Sequence, residues 1–151
     1  MVRNFRTVVE VEGPEIVIDD SSGNLEGRGA GATEISDSSG DIELFALGGG
    51  LTLDDSSGDV RAEGVGGAVE IPDDSSGDIR VRDVAKHVRI GEDSSGDIVL
   101  RDVGGRVRVG EDSSGDIVVE RVDSDFTVGN DGSGDIRYED VAGNISIPDD
   151  N

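Results

Sequence analysis

Cysteine and tryptophan are absent from this 151-residue chain, which has one histidine, one tyrosine, three phenylalanines and three prolines. Without cysteine there is neither a disulfide frame nor a thiolate metal site, and the compartment stays open. Aromatics make up 3% and hydrophobic residues 33%, fewer large side chains than a globular core of this length normally uses. No apolar run approaches the roughly 20 residues that a spanning helix needs. Met1–Val11 has no apolar stretch of the signal-peptide kind. Bases are scarce as well: 13 against 35 acids, for a formal net charge of -22. Such a surface repels nucleic acid and anionic membranes and favours cations and cationic partners.

Low hydrophobicity and high charge are also the composition of disordered chains, but an internal repeat argues for order. The turn glycines are Gly23, Gly40, Gly58, Gly77, Gly96, Gly115 and Gly134, at steps of 17, 18, 19, 19, 19 and 19. Around them the chain reads Asp-Ser-Ser-Gly-Asp-Ile with little drift, as in Asp74–Ile79, Asp93–Ile98 and Asp112–Ile117. Apolar residues recur at fixed places: Ile79, Val81, Val84, Val88 and Ile90, then Ile98, Leu100, Val103, Val107 and Val109. Pairs such as Ile79/Val81 have the period of two that turns one face of a strand inward. Corners such as Val103-Gly104-Gly105 and the Ser-Gly turn separate the strands.

Each repeat therefore reads as two or three short strands with tight corners. One such unit cannot bury enough surface to offset the entropy of ordering it, so the units must stack. The predicted fold is an all-β, single-stranded β-solenoid, or parallel β-helix, of about seven rungs with a 19-residue period. Residues 1–20 form N-terminal strands or a cap, and 21–151 the repeats. A sandwich or a four-bladed propeller does not expect one motif every 19 residues. Gly27 and Ala30 in core slots predict a tapered beginning, and Phe126 and Tyr138 a wider final layer.

Repeated Gly-Asp-Ile turns with Asp-Val-Gly-Gly-type corners resemble a bacterial "adhesin" domain family of unknown function, from about Val8 to Ile147. The resemblance implies a β-solenoid in a periplasmic, cell-surface or secreted setting, with a structural or adhesive role and no active site. These residues carry no signal or lipid-anchor segment, and their regularity also fits an engineered or consensus-like array.

Stacking rungs about 4.8 Å apart turns repeated residues into ladders. One runs Asp20, Asp37, Asp55, Asp74, Asp93, Asp112 and Asp131; a second runs Asp41, Asp59, Asp78, Asp97, Asp116 and Asp135. Neighbouring charges at that spacing repel by about 1 kcal/mol in water, and by about 3–4 at an effective dielectric of 20. Three reliefs exist: hydrogen bonds from turn N–H and serine hydroxyl groups, raised pKa values, or Ca²⁺ on the carboxylate oxygens. On the third, the metal ligands are Asp37, Asp55, Asp74, Asp93 and Asp112 with Asp41, Asp59, Asp78, Asp97 and Asp116. No cofactor is required otherwise.

A catalytic reading finds little. His87, the single histidine, aligns with Arg106 and Asp125 in a solvent-facing slot, away from any serine it would need to activate. No Gly-Lys-Ser/Thr marks a phosphate loop, and acids repeated identically in every rung argue for structure rather than a glycosidase pair. The expectation is that the chain is not an enzyme. Outward charges form cross-rung slots, Glu63/Arg82/Arg101/Glu120 and Glu70/Arg89/Arg108. Ile147-Pro148-Asp149-Asp150 repeats Ile71-Pro72-Asp73-Asp74, which suits head-to-tail stacking of the chain on itself into a filament, with cationic or cell-surface ligands as other partners.

Overall fold

The computed structural model describes residues 7–10, 15–29 and 31–148. They form strands β1 (Thr7–Glu10), β2 (Glu15–Asp20), β3 (Leu25–Arg28), β4 (Ala32–Asp37), β5 (Ile42–Leu47), β6 (Leu51–Asp55), β7 (Val60–Val65), β8 (Val69–Asp74), β9 (Ile79–Val84), β10 (Val88–Asp93), β11 (Ile98–Val103), β12 (Val107–Asp112), β13 (Ile117–Val122), β14 (Phe126–Asp131), β15 (Ile136–Val141) and β16 (Ile145–Ser146), with no helix among the described residues. Odd strands make one parallel sheet and even strands the other. The chain is thus an all-β solenoid of about seven turns, with two strands per rung. The strands expected before Ser21 are β1 and β2, and they pair with β3 and β4.

The period-two pattern explains which side chains meet. In the rung of β9 and β10, Ile79, Val81, Val84, Val88 and Ile90 are all buried, and Arg80, Arg82 and Arg89 between them are exposed. The next rung repeats this directly above, Ile79 against Ile98 and Val88 against Val107. Every buried aliphatic therefore touches its own kind along the axis, and one continuous core runs from Ile18 to Val128.

The unequal repeat lengths have definite places. From Gly29 to the inward Thr33 is four residues, but from Ala46 to the matching Leu51 is five: the corner gains one. Between Leu53 and Asp55 lies one residue, while Pro72 and Asp73 lie between Ile71 and Asp74. The register between β6 and β8 shifts at that point. Pro72 heads a column continued by Gly91 and Gly110, whose members have no partner in the ladder register. Proline is tolerated at such a bulge because it has no N–H to donate.

Gly27 does occupy a core slot, facing Leu44, whose Cδ2 would lie 2.9 Å from an added Cβ. Ala30 lies outside the described residues. Phe126 is fully buried, whereas Tyr138 departs from the expectation of a filled final layer. It shares Val119's slot and its ring lies 6.1 Å from that of Phe126. It is nonetheless 46% exposed, because no further described rung lies over β15.

Candidate functional site

The two aspartate ladders are distinct sites. The first is interior. Asp20, Asp37, Asp55, Asp74, Asp93 and Asp112 are all buried, the last three to 1% exposure or less. Alternation puts them there: in Thr33-Glu34-Ile35-Ser36-Asp37 the first, third and fifth residues face inward. From β8 onward the bulge residue is skipped and the aspartate still lands inside. Each Oδ1 accepts the backbone N–H of the serine two residues on, at 3.0–3.2 Å from Asp20 through to Asp112. This is an Asx turn, which folds the chain back at the corner. The six Oδ2 atoms are buried with no hydrogen-bond partner. An orphaned buried acceptor costs about 1–3 kcal/mol, and more when it is charged. Burial accordingly pushes the carboxyls up: Asp37 is raised, Asp55, Asp74 and Asp112 reach about 6, and Asp93 reaches about 7. For Asp93 the column neighbours Asp74 and Asp112 add to the effect of burial.

The second ladder, Asp41, Asp59, Asp78, Asp97, Asp116 and Asp135, lies at the surface, partly to fully exposed. Here the Oδ1 atoms of Asp41, Asp59, Asp78, Asp97 and Asp116 each accept the backbone N–H of the next rung's aspartate, at 2.9–3.2 Å. The side chain stands in for a carbonyl where the turn interrupts the sheet ladder. Asn24 does the same for Asp41 at 3.2 Å, so the slot needs an acceptor rather than a charge. The serine hydroxyls are also engaged: Ser39, Ser57, Ser95 and Ser114 donate to serine carbonyls of the preceding rung at 3.1–3.4 Å.

Of the three reliefs weighed from the sequence, hydrogen bonding therefore serves both ladders, and a raised pKa serves the inner one. The ten candidate metal ligands divide into five buried and five surface residues. No group of three or more His, Asp or Glu among the described residues is arranged to hold a metal ion. Comparison with family models, curated proteins and solved structures finds no match. The likeness to the adhesin family thus rests on the repeat motif itself.

His87 is half-buried at a corner beside Gly105 and Arg106, in a shallow recess lined also by Lys86, Ser124 and Asp125. The outward charge slots follow the expected register, Glu63/Arg82/Arg101/Glu120 on one sheet and Glu70/Arg89/Arg108 on the other. The like pair Arg82/Arg101 is relieved by flanking acids: Arg82 lies 3.6 Å from Asp102, and Arg101 lies 3.1 Å from Glu120. Arg121 grips Asp102 with two nitrogens, and that hydrogen bonding holds the Asp102 carboxyl below its ordinary range. On the second sheet a further row runs Asp19, Ser36, Asp54, Asp73, Glu92 and Glu111, all exposed. Sequence reasoning did not single it out, although it is legible as the residue directly before each inner aspartate.

Proposed function

We propose that this chain is a non-catalytic structural and adhesive module of the cell envelope, a stiff rod that holds cationic surfaces along one acidic edge. One observation carries the reading: the surface aspartates, serine hydroxyls and turn glycines join rung to rung and the inner aspartates close each turn, so the motif builds the coil. The edge formed by Asp54, Asp73, Glu92 and Glu111 differs, since none of the four makes an ion pair in the structure. The arginines of the opposite sheet face their own acids, as in Arg61–Glu63 and Arg80–Asp78. A row of unpaired charges about 4.8 Å apart suits multivalent contact with a cationic polymer or protein.

The test is retention on an amine-coated surface. Neutralising Asp54, Asp73, Glu92 and Glu111 together to their amides is expected to weaken binding by about fourfold to several hundredfold, taking about 0.2–1 kcal/mol per contact. Neutralising Glu43, Asp123, Glu139 and Asp140 removes the same charge elsewhere and is expected to do much less. Equal losses would reduce the binding to net charge and end the reading.

No cation is required in this proposal, because the ladders are hydrogen-bonded. CaCl2 and NaCl at matched ionic strength are therefore expected to give the same melting temperature. A markedly higher value in Ca²⁺ would favour the alternative of a calcium-stabilised scaffold.

A further inference from the structure

The inner column sets an unusual chemical problem. Six carboxyls stand in one file inside the solenoid, each with Oδ1 held by a serine N–H and Oδ2 buried without a partner. The charged groups that weigh most on them are all carboxylates. Along the file, Asp37 feels Asp20, Asp55 feels Asp37, Asp74 feels Asp55, Asp93 feels Asp74 and Asp112, and Asp112 feels Asp131. From the surface, Asp41, Asp59, Asp78 and Asp97 act in turn, and Asp73 acts on Asp74. No basic side chain is among these influences. The hydrogen that satisfies the orphaned oxygens must therefore come from solvent. In-register side chains about 4.8 Å apart need only a short lean to reach the roughly 2.5–2.7 Å of a bond between acid and carboxylate.

We propose that the inner aspartates are a row of interior proton-binding sites, in which a protonated carboxyl on one rung donates from Oδ2 to a carboxylate oxygen of its neighbour. Each proton bound removes a buried charge and satisfies two oxygens. The row is then a ligand site for protons, and the solenoid tightens in mild acid.

The sign of the linkage is fixed. From Asp37 to Asp112 the folded carboxyls bind protons more strongly than in the unfolded chain, so the stabilisation is complete below the unfolded value near 3.8 and disappears as pH rises through about 6 to 7. Stability should fall between pH 5 and pH 8, the reverse of ordinary acid denaturation.

Asp93→Asn separates this row from general charge repulsion. The amide keeps the acceptor for Ser95 and supplies a permanent N–H, so it imitates the protonated acid. It is expected to raise the melting temperature at pH 8 by about 2–4 °C, a gain that shrinks clearly by pH 5 and vanishes only below the unfolded value near 3.8. Asp97→Asn removes the same charge from the surface ladder and should not reproduce that pH-dependent gain. On the unmodified chain, infrared absorption of protonated carboxyl groups should persist at pH 6 and disappear by pH 9. Absence of that absorption at pH 6 would overturn the proposal, as would an Asp93→Asn effect that is equal at pH 5 and pH 8.

Discussion

Gly96→Ala is expected to cost more than about 4 kcal/mol, enough to unfold a domain whose total stability is of the usual size of about 5–15. Two independent faults add. Gly96 has a φ of +129°, which side chains other than glycine rarely adopt. An added Cβ would also lie only 1.8 Å from the carbonyl oxygen of Gly77 in the rung below. That carbonyl cannot retreat, because the turns are tied on both sides: Gly77 N–H donates to Ser95 at 3.1 Å and Gly96 N–H to Ser114 at 3.1 Å. Opening the space means parting two rungs and losing their ladder. Urea denaturation followed by far-ultraviolet circular dichroism measures the effect, and a loss below about 1 kcal/mol would show that the turns are not stacked this tightly.

Leu100→Ala should cost about 3–5 kcal/mol, at the upper end of what leucine truncations show. The side chain is fully buried and lies in register between Val81 and Val119. In a solenoid each rung is stabilised mainly by its two neighbours, so a cavity in the middle weakens both interfaces. Neither valine is long enough to fill the gap, and the backbone spacing is fixed by hydrogen bonds. Val17→Ala, at a side chain 67% exposed, is the matched control and should stay within about 0.5 kcal/mol. A similar small loss at Leu100 would mean that the core is loosely packed there.

The fold was legible because repetition adds a second signal to alternation. Any one segment, such as Ile79–Val84, is too short to decide much. Its recurrence at Ile98–Val103 and Ile117–Val122 with the same spacing leaves stacking as the economical answer. The outward charge slots followed from the same register. What was not legible was the difference between the two aspartate ladders. Asp93 and Asp97 sit either side of one turn in the sequence and read alike as turn-forming acids. Only the bulge at Gly91 sends Asp93 inward, and a residue skipped in a ladder leaves no mark on composition. The shorter rung, with Asp37 following strict alternation from Thr33, carried the clue. Tyr138 was misjudged for another reason: its slot was right, but burial depends on what lies above it.

Because the corrections of length from β3 onward occur at two places, the corner after Ala46 and the bulge at Pro72, the rungs beyond Pro72 are interchangeable blocks. A tandem duplication of nineteen codons would therefore insert a finished layer without disturbing either neighbour, whereas a single extra residue inside a strand, unless taken up by a bulge as at Pro72, would turn the inner face beyond it outward. Such an array changes length in whole steps, and its gene can vary the reach of the rod while leaving every contact type intact.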